Sequence, residues 1–322
     1  MRIAVFTFLI AMVVATLLTP AVRTFAVRLG VIDQPDARRV HHQPTPRWGG
    51  IAVYLAFWAA VIPVALWTNS WSNALTAILI LGTAIALFGM YDDRYSIPPL
   101  WQMVILLGSG VALAWFGIRI EGITHPFAPL MPGEYRPEHW LPLGMWSLPF
   151  TALWVFVVTK TVDAIDGLDG LAAGVCAISA STLTLMAISE NQLAVGIPAA
   201  ALAGACVGFL RHNINPASIF MGTVGAQFIG FVLATLAVVG TFKVAATISV
   251  LVPLLVLGVP FLDAFFVVSR RVLDRQPLHK ADLRHFHHWL VARLGHRRAV
   301  MVIWLIGFVF SAAAFTLYRM TR

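Results

Sequence analysis

Apolar runs of roughly bilayer length alternate with short polar segments along nearly the whole chain. A transmembrane helix needs about 20 mostly apolar residues. Ten stretches approach that length: 3–22, 51–67, 74–90, 100–116, 148–162, 171–188, 193–210, 224–239, 245–268 and 299–317. The first reads as a retained helix, since only Arg2 precedes it and no small-residue cleavage site follows. A basic segment fills 23–48, and a loop with Pro126, Pro129, Pro132, Pro137 and Pro142 fills 119–145. No fixed-period repeat is evident. The pattern predicts an all-α, polytopic integral membrane protein of about ten helices, with one transmembrane domain over 1–322.

Composition agrees. Residues are 59% hydrophobic and 11% charged, with a mean hydropathy of +0.84, whereas soluble domains carry about 25% charged residues. Cys176 and Cys206 both sit in apolar runs and read as small core residues, not as a disulfide or metal pair.

Charge supplies orientation. Sixteen of the 22 Lys and Arg residues fall in one alternating set of loops, 23–48, 92–98, 160–170, 211–222 and 269–298. The positive-inside rule makes that set cytoplasmic and puts both termini outside. The net charge of +8 therefore speaks of membrane orientation and not of nucleic acid. The aspartates lie in the same set or at span ends facing it, while Glu121, Glu134, Glu138 and Glu190 lie opposite.

Within that set, 160–171 reads Lys-Thr-Val-Asp-Ala-Ile-Asp-Gly-Leu-Asp-Gly-Leu. Asp163, Asp166 and Asp169 recur at every third position beside Gly167 and Gly170. Carboxylates between apolar spans line polar cavities or bind cations, and a helix starting at Gly170 would aim N–H groups at an anion. The plainer reading is a solvated acidic turn. Asp92-Asp93 closes the third span, and two adjacent carboxylates need a cation or Arg94 for compensation. Arg47 and the Gly49-Gly50 pair precede a helix start and suit an anionic ligand, or simply mark a basic inner loop. The stretch from Arg211 through Pro216 to Gly225 reads first as a turn and cap. His285-Phe286-His287-His288 lies in a basic loop and suits phosphate with Arg284 and Arg293 better than zinc. Aspartates, basic residues and glycines on one face are the parts of phosphoryl transfer, with Mg2+ as the preferred hard cation. No GxxxxGK[ST] occurs, which disfavours a Walker-type pump.

In this order, Pro44-Thr45-Pro46-Arg47-Trp48-Gly49-Gly50, Asp92-Asp93-Arg94, Asp166-Gly167-Leu168-Asp169-Gly170-Leu171, Phe220-Met221-Gly222 and His285-Phe286-His287-His288 resemble the polyprenyl-phosphate N-acetylhexosamine-1-phosphate transferases, of glycosyltransferase family 4 type. The resemblance implies a multi-pass enzyme of the bacterial inner membrane with a cytoplasmic active-site cleft, dependent on Mg2+ (or Mn2+). Its partners would be a UDP-sugar and undecaprenyl phosphate, with UMP released, and a homodimer is compatible. The Pro-Thr-Pro-Arg and His-Phe-His-His forms resemble the branch using UDP-GlcNAc, which initiates cell-envelope polysaccharide synthesis. The branch using UDP-MurNAc-pentapeptide is the nearest alternative. By resemblance, Asp92 and Asp93 bind or deprotonate the lipid phosphate, Asp166 and Asp169 serve metal and nucleotide, and His285, His287 and His288 hold the diphosphate or sugar. Arg47, Lys160, Asp163 and Arg284 complete the expected substrate contacts.

The chain departs from the family pattern at three places. Lys160 and Asp163 stand where asparagines are usual, and Thr223 stands where an aspartate is usual. Asp163 is therefore expected to join Asp166 and Asp169 as a metal ligand, or else to pair with Lys160 three residues away. An ion-coupled transporter is the alternative from another class, but its carboxylates would sit near the bilayer midplane between paired repeats.

Overall fold

A computed structural model of the protein describes residues 1–34, 44–124, 140–240, 254, 256–273 and 286–320. The helices are α1 (Arg2–Arg28), α2 (Gly49–Trp67), α3 (Asn73–Tyr95), α4 (Pro99–Trp115), α5 (Ser147–Ile165), α6 (Leu171–Ser189), α7 (Leu193–Asn213), α8 (Gly222–Val239), α9 (Gly258–Leu273), α10 (Phe286–Leu294) and α11 (His296–Met320). Two short antiparallel hairpins join them: β1 (Ile32–Asp33) with β2 (Thr45–Pro46), and β3 (Gly122–Thr124) with β4 (Trp140–Pro142). Among the described residues, eight helices are long and apolar enough to cross a membrane. The fourth and ninth expected spans correspond to two shorter apolar helices, Pro99–Trp115 and Gly258–Val267. The protein is thus an all-α, multi-pass membrane protein.

Boundaries differ from the hydropathy pattern where polar residues continue a helix. α1 runs on to Arg28, so the basic segment begins as helix and not as loop. α3 carries Asp92 and Asp93 in its last turns and ends at Tyr95. The ninth expected span is described only from 254 onward, and its helix runs past Val268 to Leu273. Most of the proline-rich loop lies outside the described residues, but its flanks pair as β3 and β4. The histidine segment begins a helix, with Phe286, His287 and His288 in the first turn of α10.

Helix α8 is the centre of the bundle. Its apolar window is 83% buried, against 28% for α1 and α11, whose apolar faces are left to lipid. Lipid gives no hydrophobic drive for helix association, so close packing of small residues must hold the bundle. α7 reads Leu-Ala-Val-Gly-Ile-Pro-Ala-Ala-Ala-Leu-Ala-Gly-Ala-Cys-Val-Gly, and its Gly204 and Gly208 press directly on the Phe8 and Met12 carbonyls of α1. Gly230 of α8 likewise meets the backbone of Thr159 on α5. Buried hydroxyls return to their own helices: Thr19, Thr151, Thr184 and Thr235 each donate to the carbonyl four residues back.

Candidate active site

A cavity of about 330 Å³ opens at one end of the bundle. Its lining comes from the C-terminal ends of α3, α5 and α7, the N-terminal ends of α8 and α11, the β1–β2 hairpin and α10. All five loops of the charged set meet there. The side chains facing it include Asp33, Arg47, Asp93, Asp163, Asp166, Asp169, His288 and His296.

Backbone pairing builds its floor. The Phe220 N–H donates to the Pro46 carbonyl at 2.8 Å, Gly49 donates to Phe220 at 2.9 Å, and Gly50 to Met221 at 2.8 Å. The glycine pair is therefore spent on holding α2 to the 220–221 segment and offers no N–H groups to an anion. Close approach is why glycine stands there: a Cβ on Gly50 would drive into Gly225. Trp48 locks this corner with its indole N–H on the Met90 carbonyl and its ring against Ala26, Val31, Ala86 and Val224. Arg47 is thereby fixed at the rim, 2.8 Å from Asp33 and 3.8 Å from Asp93. Asp33 escaped the sequence reading because an isolated aspartate in a basic loop carries no signal.

The Asp92-Asp93 pair divides, since adjacent residues on a helix do not face one another. Asp92 turns away from the cavity and accepts the Ile97 N–H at 2.8 Å and the Gln102 amide at 3.0 Å. Asp93 lines the cavity and accepts the Thr223 and Val224 N–H groups at 2.9 and 3.3 Å. It thus caps α8 from another helix, satisfying donors that a helix start otherwise leaves orphaned. Gly222, at φ 76°, makes this possible, because a Cβ there would occupy the space of the Asp93 carboxyl. Arg94 gives neither carboxylate the expected compensation; its guanidinium lies 5.6 Å from the Tyr95 ring centroid.

The acidic turn between α5 and α6 behaves differently. Asp163 pairs with Lys160 at 2.6 Å, and Lys160 also donates to Gln102 at 2.6 Å. A hydrogen-bonded series thus joins Asp163 through Lys160 and Gln102 to Asp92. Lys160 itself is not one of the residues that line the cavity. Asp169 reaches across to the α7–α8 loop, where one oxygen accepts from Asn215 at 2.8 Å and from the Ala217 N–H at 3.1 Å. The start of α6 is not open to an anion either: Gly170, in the left-handed region at φ 79°, donates its N–H to Asn213 Oδ1 at 3.0 Å. Asp166 closes α5. Burial pushes its carboxyl well above the ordinary carboxylate range, and the charges of Asp163 and Asp93 push the same way, against Arg47 and the Gly222 N–H.

His288 faces the cavity, whereas His287 is buried one layer behind it. There Asp263 holds the His287 Nδ1 at 3.2 Å, and Nε2 abuts Gly167. Arg284 and His285 lie outside the described residues. His296, the first residue of α11, faces the cavity and was passed over in the sequence because its neighbours Arg297 and Arg298 read only as inner-loop charge.

Among the described residues, no three His, Cys, Asp or Glu side chains converge into a ready-made metal cage. Mg2+ does not require one, since it binds through one or two carboxylates plus waters and substrate phosphates. The donor set of Asp163 and Asp166 is hard oxygen with excess negative charge, and so fits such a cation.

The chain is similar to known proteins along nearly its whole length. The family described as glycosyl transferase family 4 matches residues 75–241, which span the ends of α3, α5, α7 and α8 at the cavity. Over 98% of this chain and 85% of the relative's length, the sequence is 35% identical to a Bacillus subtilis protein named probable undecaprenyl-phosphate N-acetylglucosaminyl 1-phosphate transferase. It is 30% identical to a decaprenyl-phosphate N-acetylglucosaminephosphotransferase of Mycobacterium leprae, over 96% of this chain and 83% of that one. Identity to a phospho-N-acetylmuramoyl-pentapeptide-transferase of Bacillus mycoides is 26%, over 94% and 93%.

Proposed function

The chain belongs to glycosyl transferase family 4, and on that premise we propose that it transfers N-acetylglucosamine-1-phosphate from UDP-GlcNAc to undecaprenyl phosphate. A phosphate oxygen of the lipid attacks the β-phosphorus of the donor. The bond from that phosphorus to the bridging oxygen breaks, and UMP leaves with the oxygen and its electron pair. The observation that carries the reading is the convergence of Asp163, Asp166, Arg47 and His288 on one cavity at the helix ends, in a chain 35% identical over nearly its whole length to a GlcNAc-1-phosphate transferase. The muramoyl-pentapeptide reading is favoured less, since identity falls to 26% there.

The residues divide the work by charge. Arg47 and His288 face the donor's diphosphate, and Arg284 and His285 are assigned to the same anion. Asp166, with Asp163 beside it, would hold Mg2+, with Mn2+ as a substitute. When bound, the cation neutralises charge on the phosphates as the bond exchanges. A phosphate monoester has its second pKa near 6, so Asp92 and Asp93 need remove little proton at neutral pH. Asp93 instead keeps α8 and Arg47 in register with the cavity, and Asp92 steadies Lys160 through Gln102. The cavity faces the cytoplasm and both termini lie outside, as the basic loops around it favour. The test is release of UMP from UDP-GlcNAc by purified protein with undecaprenyl phosphate and Mg2+. No release under those conditions would refute the activity.

A further inference from the structure

Lys160 and Asp163, which depart together from the family pattern, are held from a third helix. Gln102 lies in the first turn of α4, beside the short turn that follows α3. Asp92 Oδ1 accepts both the Ile97 N–H at 2.8 Å and the Gln102 Nε2 at 3.0 Å, and Nε2 also donates to the Ile97 carbonyl at 3.3 Å. Gln102 Oε1 accepts from Lys160 Nζ at 2.6 Å, and the same Nζ donates to Asp163 Oδ2 at 2.6 Å. An ammonium only donates, whereas a carboxylate and a carbonyl only accept. The Gln102 amide therefore has one workable orientation, and each link from Asp92 to Asp163 pairs a donor with an acceptor.

The series ends at the cavity. Asp163 lines it, whereas Asp92, Gln102 and Lys160 do not, nor does any other residue of α4. The Lys160 ammonium is thus shared between a carboxylate at the cavity and an amide on a helix that contributes nothing to the lining. This matters because a lysine ammonium is a compact charge on a flexible four-carbon stem. Tied to Asp163 alone, it would follow that carboxylate and engage both of its oxygens. An ammonium placed so competes with a divalent cation, which takes hard carboxylate oxygens of the kind that Asp163 and Asp166 supply. Held by Gln102 it takes Oδ2, and Oδ1 accepts no hydrogen bond from the described residues.

We propose that Gln102 is a positioning residue: by holding the Lys160 ammonium it leaves Asp163 Oδ1 to the divalent cation that accompanies the nucleotide. The proposal rests on the transferase reading and deepens it, because it gives Lys160, Asp163 and the start of α4 one shared task. Substitution separates the two halves of the amide. Gln102→Met is close in size and removes both. Gln102→Glu keeps an acceptor for Lys160 and loses the donor to Asp92. Gln102→Lys keeps a donor for Asp92 and loses the acceptor for Lys160.

The experiment is binding of Mn2+ to the detergent-purified chain with UMP, read from the free-ion signal in electron paramagnetic resonance, with the unfolding midpoint of each variant beside it. We expect Gln102→Met to weaken Mn2+ binding about three- to fivefold, toward the lower end of coupling within one hydrogen-bonded network. Gln102→Lys should weaken it at least as much while keeping its midpoint, which gives the same reading should Gln102→Met not fold. Gln102→Glu should bind Mn2+ within about twofold of wild type, with a lower midpoint because Asp92 loses a donor. In a Lys160→Met background, Gln102→Met should change Mn2+ binding no further. Mn2+ binding unchanged in Gln102→Met and Gln102→Lys overturns the proposal. So does an equal loss in Gln102→Glu, or the same loss from Gln102→Met with Lys160 already replaced; either confines Gln102 to bracing Asp92 and the turn after α3. Wild-type protein that binds no Mn2+ with UMP would instead refute the metal-dependent transferase reading beneath it.

Discussion

Two acidic places at the same end of the bundle differ in how fully their buried carboxylates are met by donors. At the end of α3, Asp92 and Asp93 are buried, and each is met by backbone N–H donors: Ile97 for the first, Thr223 and Val224 for the second. At the α5–α6 turn, Asp166 is desolvated and pressed by the charges of Asp163 and Asp93, and its carboxyl is driven up. Burial of a charge is tolerable when donors surround it and costly when they do not. The first place is therefore a frame that holds α8 and Arg47, and the second, at Asp166, has fewer donors and more neighbouring negative charge, and so calls for positive charge. An active site of this kind needs both, one to fix geometry and one to bind what the reaction brings.

The largest effect should come from removing the open charge. Asp166→Asn is expected to lower UMP release by about a thousand-fold, the upper range for deleting one preorganised electrostatic group. Its thermal midpoint should stay at or above that of wild type, because relief of a desolvated charge beside Asp163 and Asp93 outweighs its single backbone donor, the Gly222 N–H. Activity within tenfold of wild type would break the comparison.

Asp93→Asn should do the reverse in emphasis. Losing the charged cap of α8 should cost about 1–3 kcal/mol of stability, read as a lower unfolding midpoint, with the loss of turnover following from the displaced frame. A midpoint equal to that of Asp166→Asn would show that the two carboxylates play one role.

The raised Asp166 carboxyl also fixes a pH dependence. Below about pH 4 it is protonated in both the folded and the unfolded chain and contributes nothing. As pH rises, the unfolded chain ionises there first, so the metal-free fold loses stability until the folded carboxyl ionises too. Unfolding midpoints measured between pH 4 and 8 should fall less steeply in Asp166→Asn than in wild type, and Mg2+ should reverse the difference. A wild-type slope unchanged by the substitution would remove Asp166 as the cause.

The smallest effect expected concerns the exchange of a carboxylate between Thr223 and Asp163. Asp163→Asn should raise the Mg2+ concentration for half-maximal activity by a few-fold, and adding Thr223→Asp should recover part of it, since a carboxylate returns to the cavity. The ion pair with Lys160 at 2.6 Å uses one oxygen of Asp163, which is why the effect is modest. Unchanged Mg2+ dependence in Asp163→Asn would leave that residue serving Lys160 alone.

The membrane class and the gathering of five loops at one end were legible because apolar run length and Lys/Arg asymmetry are properties of sequence alone. The acidic turn stood out for the same reason, as carboxylates between apolar runs are rare. Partners were not legible. Nothing local shows that Asp93 caps α8, 130 residues away, or that the Gly49 and Gly50 N–H groups go to Phe220 and Met221. Asp33 and His296 acquire meaning only when the hairpin and the start of α11 are folded against the cavity. Gly222 shows the limit well: its need is set by the Asp93 carboxyl that occupies its missing Cβ.

The division between frame and open charge is tested most directly by one thermal series. Unfolding midpoints of wild type, Asp93→Asn and Asp166→Asn would be taken with and without Mg2+ plus UMP at pH 7.5. Wild type and Asp93→Asn should both rise on addition, the second from a lower start, and Asp166→Asn should not move. A rise in Asp166→Asn as large as in wild type would contradict the account.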